Sequence, residues 1–152
     1  MKWDLVQGDF IKKLYSGAKV WYHIEINPGG MSHMIHLMNS YVIFRCPEFF
    51  FYIAFPEPCM NPHNLIKQAW DRSEQTLLTH RRVELMGTKY IQIFVNAETG
   101  DEIKVNKQLY QRYVEKVDQL TFWGSDYRSP VFAINGDIPD PENIVFMVLP
   151  IV

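Results

Sequence analysis

Cysteine is scarce in this chain, with Cys46 and Cys59 the only two in 152 residues, and they form no Cys-x-x-Cys pair. That excludes a disulfide-stapled scaffold and a zinc site built on paired thiolates. Long apolar runs are also missing. The greasiest stretch, Tyr41 to Phe55, is interrupted by Arg45, Pro47 and Glu48 and is too short to span a bilayer. Met1-Lys2-Trp3-Asp4 has no apolar segment behind it, so no secretory leader is expected and the thiols are expected to stay reduced in a cytoplasm. Charge of one sign is lacking as well. Fifteen basic and seventeen acidic residues leave a formal charge of −2, which gives no whole-chain footprint for nucleic acid.

Motifs that carry chemistry are equally sparse. Gly29-Gly30 follows Pro28 in a turn pattern and lacks the Lys-Ser/Thr of a phosphate loop. His33 and His36 form a His-x-x-His with His23, His63, Cys46 and Cys59 elsewhere, but residues three apart on a strand point to opposite faces, whereas a metal needs them convergent. Asp101-Glu102 and the pair Asp140 and Glu142 sit in turn-like surroundings that favour solvated carboxylates. The expectation is therefore no catalytic residue, no metal site and no cofactor.

What is present is a strongly apolar, aromatic chain, at 47% and 14%, which excludes disorder. Its length suits one domain able to bury about 68–70% of its unfolded surface. The fullest pattern lies between Tyr90 and Val152. Tyr90 to Asn96 and Glu102 to Val105 flank a turn ending in Gly100 and read as a hairpin. Asn106 caps a helix expected over about 106–117, with Leu109, Tyr110, Tyr113, Val114 and Val117 at three- and four-residue spacing. Strands are expected from Gln119 to Trp123, from Pro130 to Asn135 and from Asn143 onward. Upstream, a helix over about 9–16 and strands at Lys19 to Asn27, Met31 to Met38, Tyr41 to Arg45 and Phe49 to Phe55 give a loosely similar order. Between them, a proline-stiffened loop leads into a helix at about 64–78, with strands at Arg82 to Met86 and Tyr90 to Val95 around Gly87. The fold class expected is α+β, with antiparallel sheets and helices packed on them, in a single domain whose halves, about 1–55 and 90–152, are joined by 56–89.

Several features of the last fifty residues or so resemble the closing segment of bacterial DNA sliding clamps. They are Val105-Asn106-Lys107-Gln108-Leu109 opening a helix, a strand ending at Gly124, Arg128 to Ile134, and the terminal Val145 to Val152 with its proline. The resemblance implies a domain of two β-α-β-β-β halves. It also implies a peptide-binding pocket at Met147, Leu149, Pro150 and Ile151. In clamps the helices face DNA and touch phosphates without reading sequence, and here Lys12, Lys13, Lys107, Arg112 and Lys116 would occupy that role. The competing reading of those lysines is a mixed, solvated helix face. A clamp ring needs six such domains, so this chain would have to self-associate sixfold or do something other than encircle DNA. Two functions follow as expectations. One is a non-enzymatic clamp-like module that binds a protein partner or DNA in a phage or mobile-element context. The other is a small phage-type inhibitor of a host enzyme, such as a nuclease of a defence system. No membrane contact is expected in either.

Overall fold

The computed structural model describes residues 21–25, 34–38, 42–47, 62–107 and 120–152. Within them run β1 (Trp21–Glu25), β2 (Met34–Met38), β3 (Val42–Pro47), α1 (His63–Asp71), β4 (Thr76–Met86), β5 (Lys89–Asn96), β6 (Glu102–Asn106), β7 (Leu120–Gly124), β8 (Val131–Asn135) and β9 (Ile144–Val148), with a short 3-10 turn at Pro141–Asn143. The nine strands form one sheet in the order β1-β2-β3-β9-β8-β7-β4-β5-β6. Every pair in it is antiparallel.

The expected hairpin is present, and local chemistry explains both ends of β5. Met86 pairs with Lys89 across a two-residue loop, in which Gly87 has φ of 63° and so meets the mirror-image turn that strand twist favours. At the other end Asn96 organises the turn to β6. Its side-chain oxygen accepts the amides of Glu98 and Thr99, its backbone oxygen accepts the amide of Gly100, and its own amide donates to Asp101.

The sheet folds back on itself because β4 serves two neighbours. Thr76 and Leu77 pair with β7, the register shifts between Leu78 and His80, and the rest of the strand pairs with β5. A bulge of this kind bends a strand and increases its twist. The segment β4-β5-β6 therefore lies over β7. Phe94 meets Phe122 at 5.2 Å between ring centroids, and an added Cβ on Gly124 would lie 2.5 Å from the Ile103 Cδ1. The return is fastened where the Ile151 amide, just beyond β9, donates to the Lys104 oxygen on β6 at 2.7 Å.

The other face of β7-β8-β9 is covered by α1. Trp123, Phe132, Met147 and Ile43 are successive cross-strand partners, hence on one face, and Trp70 of α1 meets Phe132 edge-on at 5.2 Å. Ile66 completes the cluster with Ile134 and Ile144. Strand β8 is thus buried on both faces, which explains its unbroken apolar run Val131 to Ile134.

Two expectations need correction. The chain is mostly β rather than the α+β domain expected from the sequence: nine strands stand against one nine-residue α-helix among the described residues. That helix is also shorter than 64–78. It ends at Asp71, and the Gln75 side chain turns back to donate to the carbonyls of Trp70 and Ser73. Leu77 and Leu78, which continue an amphipathic stripe on paper, belong to β4, where pairing with β7 and β5 outweighs local helical spacing. The expected helix at 9–16, the strand at Phe49 to Phe55 and the part of the 106–117 helix after Lys107 lie outside the described residues, and Asn106, expected as its cap, ends β6.

Candidate functional site

The long β4-β5 hairpin sets the site. Where it lies over β7, its inner face is buried through Phe94 and Leu78, but from Val83 to Tyr90 every residue is exposed. Leu85 and Tyr90 are cross-strand partners, and Val83 is two residues from Leu85, so the three share one face. Exposures of 59% for Leu85 and 57% for Tyr90 leave an apolar tip in water. The Lys107 ammonium sits 5.2 Å from the centre of the Tyr90 ring.

Behind the tip is a groove of about 450 Å³, lined by Met86, Glu102, Lys104, Tyr127, Ile151 and Val152. Its charges are unequally committed. Arg82 donates to Glu84 at 3.0 Å and also to Glu102, and these two hydrogen bonds, Glu102 first, raise the guanidinium above its ordinary pKa. Lys104 makes no ion pair with any described residue. Tyr127 stands on the β7-β8 turn with the Arg128 guanidinium 5.2 Å from its ring centre. That turn is rigid: the Ser129 hydroxyl accepts the amides of Ser125 and Asp126 and donates to the Asp126 carbonyl, and the buried Asn96 side chain donates to the Ser125 carbonyl.

The residues expected to form a peptide pocket separate. Met147 is 5% exposed and lies under α1 beside Ile43 and Phe132, so it is a core residue and offers nothing to a ligand. Leu149 and Ile151 are 44% and 40% exposed, with Pro150 half-buried between them. Phe146 and Val148, on the opposite face of β9 from Met147, are buried as well. Of the basic residues, Lys107 stacks on Tyr90, while Lys12, Lys13, Arg112 and Lys116 lie outside the described residues. Glu102, Lys104, Met86, Tyr127 and Val152 were not among the candidates, because no local pattern connects β4, β6, the β7-β8 turn and the C-terminal segment. The hairpin tip did leave a signal. Val83 and Leu85 alternate with Arg82 and Glu84, but such alternation ordinarily marks a buried face.

No group of three or more His, Cys, Asp or Glu side chains that could hold a metal occurs among the described residues, and no described helix is long and apolar enough to cross a membrane. His63 instead meets Glu142 at 2.9 Å and Arg45 donates to the Glu142 carbonyl, contacts that tie α1 and β3 to the 3-10 turn. No family model, no curated protein and no solved structure matches this chain, so its geometry alone carries the functional reading.

Proposed function

We propose that this chain is a non-enzymatic binding module that engages a protein partner through the β4-β5 hairpin tip and the neighbouring C-terminal segment. The observation behind it is the joint exposure of Val83, Leu85, Met86 and Tyr90 on one projecting hairpin. Apolar side chains gain about 1.5–3 kcal/mol each on full burial, so a cluster left in water is a reserve of binding energy. Tyr and Met are also residue types enriched in interface cores. The apolar tip favours a protein over DNA, since a phosphate backbone offers such side chains little. Obstructing an enzyme is one action open to a module of this kind. A reducing cytoplasm fits its two cysteines.

The test is site-directed photocrosslinking. A benzophenone side chain at Leu85 should yield one saturable adduct in lysate of the native host, weakened by Tyr90→Ser. The same probe at Glu98, in the exposed turn at the opposite end of β5, should yield none. Equal adducts from both positions, or none from Leu85, would overturn the proposal.

A further inference from the structure

We infer that the groove behind the hairpin tip takes an extended apolar segment of the partner carrying an Asp or Glu side chain, with Lys104 as the group that holds its carboxylate. This rests on the protein-binding reading above and specifies the partner's chemistry. The walls contributed by Met86, Tyr127, Ile151 and Val152 are apolar, and about 450 Å³ lies within the range of ligand-binding clefts. Of the two charged side chains lining the space, Glu102 is held by Arg82, whereas Lys104 has no ion pair with a described residue. An acidic segment therefore finds an unpaired cation, and a basic one finds a carboxylate already engaged. Lys104 is half-buried, so water screens its charge less than at an open surface, and pairing there gains more than at a fully solvated lysine. Arg128, which lies over the Tyr127 ring, is a second positive group next to that wall. The extended form follows from β6. It is the last of the described strands in the sheet, and its outer edge already accepts the Ile151 amide at Lys104. A segment laid beside that contact meets a strand edge flanked by side-chain walls.

Selection of phage-displayed random peptides tests this on four versions of the whole chain: the unmodified protein, Lys104→Met, Lys104→Glu and Leu85→Ser. Peptides enriched on the unmodified protein should pair an apolar residue with a nearby Asp or Glu. Their affinity by fluorescence anisotropy should fall about tenfold on Lys104→Met, a loss of about 1.4 kcal/mol. Replacing the acidic residue of the peptide with Lys should restore binding to Lys104→Glu. If Lys104→Glu does not fold, Lys104→Met decides the matter, since it keeps the aliphatic stem. The assignment is overturned by an absence of enriched peptides, by enrichment without acidic residues, or by unchanged affinity on Lys104→Met. Peptides indifferent to Lys104 but lost on Leu85→Ser would overturn the groove assignment and leave the binding-module reading standing. The Leu85 photocrosslink tests that reading separately.

Discussion

Gly124→Ala probes the packing of the folded-back sheet at its tightest point. A Cβ there would lie 2.5 Å from the Ile103 Cδ1 and 3.2 Å from the Leu78 Cδ1, whereas ordinary contact begins at 3.4 Å. The Ile103 methyl must therefore yield by roughly 1 Å, and close-packed interiors give such room reluctantly. Ile103 is fully buried, so it has no solvent side to move into. Overpacking of this kind costs about 1–3 kcal/mol. Against it stands a gain of about 0.4–1 kcal/mol from the reduced freedom of the unfolded chain. The two ranges subtract to a net loss of about 0–2.6 kcal/mol, about 1.3 at their midpoints, which lowers Tm by about 3–5 °C at this chain length. Thermal and urea unfolding would measure it. Removing the offending methyl with Ile103→Val should relieve the clash, although alone it costs about 0.5–1.5 kcal/mol. The double variant should then be more stable than the sum of the single losses predicts, by at least about 0.5 kcal/mol. Strict additivity, or a Gly124→Ala variant more stable than the unmodified protein, would show that β6 does not press on β7 as described.

Three further perturbations test other contacts. Met147→Ala and Val148→Ala should each cost about 2–5 kcal/mol in urea unfolding, because each faces a covered layer, while Leu149→Ala should stay within about 0.5 kcal/mol. A large loss on Leu149→Ala would contradict its exposure. Asn96→Ala removes three side-chain hydrogen bonds from a buried site and should cost about 2–3 kcal/mol, with faster hydrogen exchange of the Glu98 and Thr99 amides. Unchanged exchange there would count against the turn. Glu102→Gln, at the half-buried Arg82 pair, should move stability by less than about 1 kcal/mol, and a larger drop in Tm would mean that the pair is more shielded than it is in the structure.

The amino-acid sequence by itself determined the local elements whose chemistry is complete within a few residues. The β5-β6 hairpin needed only alternating β-branched and aromatic residues with Asn96 and Gly100 at its turn, and the strands near Leu120, Val131 and Ile144 followed from the same signals. Alternation puts Phe146 and Val148 on one face of β9, and both are buried. Helical spacing misplaced Leu77 and Leu78, because such a stripe and a strand that pairs with distant neighbours look alike until those neighbours are known. The extra burial of Met147 had the same origin: whether the second face of β9 is covered depends on α1, some eighty residues away in the chain. The groove was the least legible feature. Lys104 and Tyr127 become neighbours only because β4 bends at its bulge, carries β6 back over β7, and is fastened there by the Ile151 amide. That convergence is a property of the sheet's closure, and no window of sequence contains it.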